Sequence, residues 1–136
     1  MIRMIVGFGV LESIRLKNYN LLPILYPLGS SVLTSSAKRI IDNKILSLMK
    51  EKPFISIEIG SHTDSRGSAS ANQQLSEARA RSVVNYLIAR GINSSRLVAM
   101  GYGEERLLNR CADGVTCTEK EHERNRRTEF RVLSSY

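Results

Sequence analysis

The chain has no tryptophan, and phenylalanine and tyrosine together make up only 6% of its 136 residues. Aliphatic side chains must therefore fill the core, and rings for stacking nucleic-acid bases are scarce. No run is long enough to cross a bilayer as a helix. Met4–Leu11 (MIVGFGVL) is apolar and follows Arg3, but it is short, and Glu12 follows it without an A-x-A-type cleavage site. Histidine and cysteine occur twice each. His62, His122, Cys111 and Cys117 add up to a Cys2His2 zinc set. Their spacing argues against one, because C-x5-C exceeds the usual two to four intervening residues and His62 lies far away along the chain. Internal repeats and low-complexity tracts are absent.

A hydrophobic fraction of 42% suits one compact globular domain with a modest core. The net charge of +7 is compatible with nucleic acid, anionic lipid or an anionic polymer as a partner, and equally with an ordinary solvated surface. Cys111 and Cys117 read as free thiols in a reducing compartment and as a cross-linked small loop in an oxidising one.

Residues 1–20 show no clear period, although Ile14-Arg15-Leu16-Lys17 alternates like an early strand. Ile24-Leu25-Tyr26 is apolar but bracketed by Pro23 and Pro27, which confine a strand to an edge. A helix is expected near Ser35–Lys50, capped by Thr34, Ser35 or Ser36, with Ala37, Ile40, Ile41, Ile45, Leu48 and Met49 as its apolar stripe. Pro53 stops it. Phe54–Ile59 alternates as a half-buried strand that ends at Gly60. A second helix is expected near Ala71–Arg90, with Leu75, Ala78, Val83, Tyr86 and Leu87 facing inward and Gly91 closing it in a left-handed turn. Leu97–Met100 and Thr128–Leu133 read as strands, and Thr118 as the cap of a helical turn. This order, βαβαββ, predicts an α+β two-layer sandwich with two main helices on one face of a sheet.

The chemistry concentrates in residues 62–79, HTDSRGSASANQQLSEAR. Asp64 opens a glycine-serine loop, and Arg79 stands on the helix after it. A carboxylate and a guanidinium facing one pocket can grip both ends of a zwitterionic amino acid: the aspartate takes the ammonium, and the arginine takes the carboxylate as a fork. Each residue has a plain alternative. A turn aspartate can bond its own backbone, and a helix arginine can be solvated, as expected for Arg81 and Arg90. A buried Asp64 would need a partner, for which Arg79 is the first candidate in the empty site. His62 reads as a buttress of the loop, and Gly67 as a positive-φ turn residue.

The motifs HTDSRGS, N-x-x-LSxxRA (Asn72–Ala80), SVVNYL (Ser82–Leu87), RLxxxGYGE (Arg96–Glu104) and NRRTEF (Asn125–Phe130) lie in register over roughly residues 54–133. Together they resemble the OmpA C-terminal-like family, the peptidoglycan-binding modules of Gram-negative envelopes. The resemblance implies a mixed sheet. It also implies that Asp64 and Arg79 hold the diaminopimelate of the stem peptide, with Arg126 of NRR packed beside the site. Thr63, Asn72 and Leu75 lie on the path from Asp64 to Arg79 and read as further ligand-binding residues or, plainly, as turn, helix start and core. It implies a periplasmic setting at the outer membrane, and there Cys111 and Cys117 are expected to form a disulfide. The expected role is a non-catalytic anchor to the cell wall, with no cofactor and no metal. Residues 21–136 would be the module, and residues 1–20 a flank or early strand of a longer protein holding the membrane anchor. The alternatives are a cell-wall hydrolase using Asp64 and His62, and a basic nucleic-acid-binding domain. The family's aromatic-acidic strand corresponds here to Ile24–Gly29, which has no acid to supply the family's ligand contact. The cysteine-bearing stretch Glu105–Arg124 is longer than the common family loop.

Overall fold

The protein is described from a computed structural model covering residues 20–22, 26 and 29–135. The expected early strand at Ile14–Lys17, the apolar Met4–Leu11 and most of the Ile24–Gly29 stretch lie outside the described residues.

Among the described residues, four strands form one mixed sheet. They are β1 (Asn20–Leu22), β2 (Ile55–Ser61), β3 (Leu97–Gly101) and β4 (Thr128–Ser135), arranged in the order β1-β4-β2-β3. β4 runs antiparallel to β1 and β2, whereas β2 and β3 are parallel. The β2–β4 ladder pairs Ile59 with Phe130 and Ser61 with Thr128, and it carries one irregularity at Ser56/Ile57. β1 lies between the two early stretches expected to be strands, Ile14–Lys17 and Ile24–Tyr26.

The first helix forms as expected but is not uniform. It comprises α1 (Ser35–Ile41), a π-helical turn (Asp42–Leu46) and α2 (Ser47–Glu51). Of the three candidate caps, Thr34 is the one used: its hydroxyl accepts from the Ala37 amide at 3.1 Å. Ala37, Ile41, Ile45 and Met49 are buried, while Ile40 and Leu48 are half-buried. Leu46, outside the expected stripe, is buried too, and the wider π turn lets neighbouring residues share one face.

β2 does not end at Gly60 but runs on to Ser61. Gly60 is a close-contact residue rather than a terminator, since a Cβ there would come within 2.9 Å of the Tyr102 ring. Ile55, Ile57 and Ile59 enter the core alongside Phe130 and Val132. By alternation, Glu58 and Arg131 occupy the other face, 3.3 Å apart.

The long helix α3 (Ala69–Ala89) is capped by Ser68, whose hydroxyl accepts from Ala71 N at 3.1 Å. Gly67 and Gly91, just outside its two ends, have φ of 87° and 101°, values that side chains rarely tolerate. The helix lies close against β3, where a Cβ on Gly101 would meet the Glu77 backbone nitrogen at 2.5 Å. A short α4 (Glu119–Glu123) opens with a capping box between Thr118 and Glu121. Among the described residues, no helix is long and apolar enough to cross a membrane.

The expected inner stripe of α3 needs correction. Val83 and Leu87 are buried and Tyr86 packs half-buried against the core, but Leu75 and Ala78, also half-buried, stand outside it. In the first half of the helix the buried face is polar, made of Asn72, Ser76 and Arg79.

Candidate ligand pocket

The sheet's C-terminal edge at β2 leads directly into the HTD loop. Backbone bonds fix the loop's start: His62 N donates to Arg127 O and Thr63 N to Gly103 O, each at 2.8 Å. Thr63 Oγ1 donates to Asp64 O at 2.9 Å. Asn72, one turn into α3, reaches back with Nδ2 to Arg66 O at 3.0 Å, to Asp64 O at 3.3 Å and to Glu104 at 2.9 Å. These bonds hold Asp64 in a loop that would otherwise be free to reshape. Asn72 therefore acts first on the loop.

Thr63, Asp64, Asn72, Leu75, Arg79 and Arg126 all line one cavity of about 200 Å³, together with Arg66 and Gly29. The six residues expected from the sequence thus converge. Leu75 supplies the apolar wall rather than core packing.

Arg79 is almost wholly buried. Its guanidinium lies over the Tyr26 ring, 4.6 Å from the centroid, and its Nε donates to Ser30 O at 2.9 Å. An aromatic face and a backbone carbonyl thus fix its plane. Burial pushes its pKa down, opposed by the nearby Tyr26 and Asp64. At the described residues of the Ile24–Gly29 stretch, Tyr26 buttresses Arg79 and Gly29 borders the cavity.

Asp64 is not partnered as expected. Its Oδ2 accepts from Arg66 Nη2 and from Arg126 Nη1, both at 2.9 Å, and its Oδ1 accepts from the Arg66 backbone at 2.9 Å. Arg79 acts on it as a charge across the pocket. Burial alone would raise the Asp64 pKa, but the bonds from Arg66 and Arg126 prevail and lower it from 3.8 to about 2. The carboxylate is therefore ionised at neutral pH.

Sequence reasoning missed two residues. Arg66 sits inside the HTDSRGS motif, two positions after Asp64, where a turn brings a side chain back over the first residue. Glu119 bridges Arg66 Nη1 at 2.9 Å and Arg126 Nη2 at 2.7 Å. It comes from the long loop, and no local pattern marks it.

That loop is closed by the Cys111–Cys117 disulfide, as expected. Cys111 is fully buried, and its carbonyl accepts from Ser65 in the HTD loop. Asn125 of NRR is buried and ties the same loop down, with its Oδ1 on Leu108 N at 2.7 Å and its Nδ2 on Asn109 at 2.9 Å. Both cysteines are thus consumed in the cross-link, which removes them from the zinc count.

His62 does not line the cavity. Its ring stacks on Tyr102 with centroids 5.1 Å apart, and its Nε2 lies 3.2 Å from Glu129. The His62 contact leads in lowering the Glu129 pKa to about 2, with Arg127 adding to it. His62 is a buttress beneath the loop.

The profile of the OmpA family matches residues 25–125. The chain is 32% identical over 111 residues to outer membrane protein A of Serratia marcescens, covering 81% of this chain and 29% of that protein. It is 32% identical over 94 residues to the peptidoglycan-associated lipoprotein of Brucella melitensis biotype 1, covering 69% of this chain and 55% of that protein. The chain thus spans from about a quarter to just over half the length of such relatives. Among solved structures, the peptidoglycan-associated lipoprotein of Burkholderia pseudomallei superposes with a TM-score of 0.71 at 21% identity, covering 81% of this chain and 88% of that one. At that identity the match speaks for the fold, which is the expected α+β sandwich with a mixed sheet. Profile, relatives and architecture agree, and the chain belongs to the OmpA family.

Proposed function

We propose that this cavity holds the diaminopimelate of a peptidoglycan stem peptide without breaking a bond. It would thereby tie an outer-membrane protein or lipoprotein to the cell wall from the periplasmic side. The observation that carries the reading is one small cavity containing both an ionised Asp64 and a stacked, oriented Arg79. The aspartate matches an ammonium group, and the planar guanidinium matches a carboxylate. Leu75 gives the methylene chain between them an apolar wall. Three arginines line the cavity against one aspartate, which favours a ligand with at least one carboxylate over a simple amine. The relative named a peptidoglycan-associated lipoprotein points the same way. In this reading the module begins near residue 21, and residues 1–20 belong to the connection with the rest of a longer protein.

A hydrolase is the weaker reading. Its acid–base pair would be Asp64 and His62, but His62 faces Glu129 and Tyr102 instead of the cavity. A general acid also needs a raised carboxyl pKa, whereas that of Asp64 is lowered. Nucleic-acid binding is weaker still, because the arginines clustered here are engaged with Asp64 and Glu119.

Calorimetry with a diaminopimelate-containing stem tripeptide tests the reading, alongside the same peptide carrying lysine in place of diaminopimelate. The lysine peptide lacks the side-chain carboxylate and should bind far more weakly. Equal affinity for the two peptides would remove Arg79 from the role given to it. Pull-down with purified sacculi should succeed for the native chain and fail for Asp64→Ala.

A further inference from the structure

Asp64 meets a ligand with most of its acceptor capacity already used. An ionised carboxylate offers about four lone-pair sites. Three are taken: one on Oδ1 by the Arg66 backbone, and two on Oδ2 by the guanidinium groups of Arg66 and Arg126. An incoming ammonium carries three donors and a full positive charge. The one remaining site, on Oδ1, can take a first of these donors, but a second bond, on Oδ2 beside two guanidiniums, displaces one of them.

The structure shows where a displaced guanidinium would go. Arg66 and Arg126 each bridge Asp64 to a second carboxylate, Glu119, and the four side chains close a ring of alternating charge. On Glu119, Oε1 takes Arg66 at 2.9 Å, and Oε2 takes Arg126 at 2.7 Å. Each arginine therefore keeps a partner when its bond to Asp64 is broken. The two are not equivalent. The Arg66 side chain is 46% exposed and that of Arg126 only 16%, so Arg66 is the one with room to move. Glu119 is itself exposed, but its backbone is fixed. It follows Cys117 of the disulfide and the Thr118 capping box. The other cysteine, Cys111, accepts from Ser65 beside Asp64.

We propose that Glu119 is a positioning residue of this pocket. It holds the Arg66 and Arg126 guanidiniums at the rim, so that Asp64 can exchange Arg66 for the ammonium group of a ligand. The proposal rests on the reading above that Asp64 receives an ammonium. Without Glu119, both arginines fall back on Asp64 alone, and a ligand must pull Arg66 away into water.

Two measurements test this, and the first needs no ligand. In Asp64→Ala, which mimics a chain whose Asp64 is otherwise engaged, Glu119 should still hold the arginines. Labelling of Arg66 and Arg126 by phenylglyoxal, followed by peptide mass spectrometry, should then stay slow. It should rise several-fold in Asp64→Ala/Glu119→Gln. Equally fast labelling in the single and double variants overturns the proposal. The second measurement is calorimetry with the diaminopimelate tripeptide. Glu119→Gln should weaken binding about tenfold, the size of one lost charge-assisted hydrogen bond. Most of that loss should vanish when Glu119→Gln is made in an Arg66→Ala background, because the guanidinium that the ligand displaces is then gone. The same loss in both backgrounds, or no loss in either, overturns it. A native chain that ignores the tripeptide would refute the ligand assignment instead, and labelling would still decide the role of Glu119.

Discussion

The two halves of α3 bury different chemistry on one continuous face. From Ala80 onward the buried residues are Ala80, Val83 and Leu87, packed with the β2 isoleucines and the first helix. Before Ala80 they are Asn72, Ser76 and Arg79, every one of them hydrogen-bonded to a loop or a carbonyl. The apolar half holds the sheet. The polar half spends its burial on holding loops around a cavity. A helix that were apolar throughout would pack better and would leave Asp64 with nothing to face. The arginines show the same division. Arg96, at the far end, is held by the backbone carbonyls of Met49, Lys52 and Ile55 and acts as a staple, whereas Arg66 and Arg126 are bonded to carboxylates that can trade partners.

The sharpest way to test this division is to cut each half separately. Leu87→Ala should cost about 2–5 kcal/mol of stability, the range for emptying a buried leucine site, while tripeptide affinity of the folded fraction stays native. Asp64→Ala or Arg79→Ala should act chiefly on binding, each losing about 2–5 kcal/mol of affinity because one partner of a buried ionic contact is stranded, with a smaller loss of stability. Denaturant melts run beside calorimetry read both quantities, and a variant that moved both equally would erase the distinction. Gly101→Ala lies between the two halves, since its new Cβ would strike the Glu77 backbone. It should cost about 1–3 kcal/mol in the same melts, with β3 the first strand to lose amide-exchange protection.

Replacing Cys111 and Cys117 by serine should lower stability by about 2 kcal/mol, the loop-closure value for so small a ring. It should also weaken binding, because the Ser65–Cys111 contact and the approach to Glu119 lose their frame. Unchanged affinity would confine the disulfide to stability. Acid should loosen the polar end first. Asp64 and Glu129 both titrate at about 2 in the fold, below their ordinary values of 3.8 and 4.5. Their stabilisation is complete above those ordinary values and is lost as pH falls toward 2. Amide exchange at residues 62–66 should therefore rise in that window before exchange at Ile55–Ile59. The smallest effect belongs to Arg81→Ala, an exposed helix arginine of the same charge as Arg79. It should stay within about 0.5 kcal/mol in both stability and binding.

Much of this was legible in the order of residues, and the failures have physical causes. Helices and strands announced themselves through period and caps, and the pocket residues through shared motifs. Leu75 and Ala78 misled because hydropathy assumes that a buried face is apolar, and at a binding site it is not. Gly60 misled because glycine marks both a chain break and a close approach, and only the Tyr102 ring distinguishes them. Tyr26 and Glu119 were invisible as site residues because each depends on a distant segment, whereas Arg66 was overlooked although its bond to Asp64 spans only two positions. Glu119 reaches Arg66 across more than fifty positions of chain, a separation that no local pattern spans.

The placing of β4 has a consequence for the order of assembly. It is the last described strand to be made, yet it lies inside the sheet with β1 on one side and β2 on the other. Arg126, which completes the ring around Asp64, stands two residues before it. As the chain is synthesised, β2, α3 and β3 can meet early through their parallel pairing. The sheet still lacks its antiparallel centre, and the ring around Asp64 its second guanidinium, until residues 126–135 arrive. Folding and ligand competence should therefore appear together, at a late step governed by long-range contacts. A nascent chain stopped short of Thr128 should hold neither a stable sheet nor a working site.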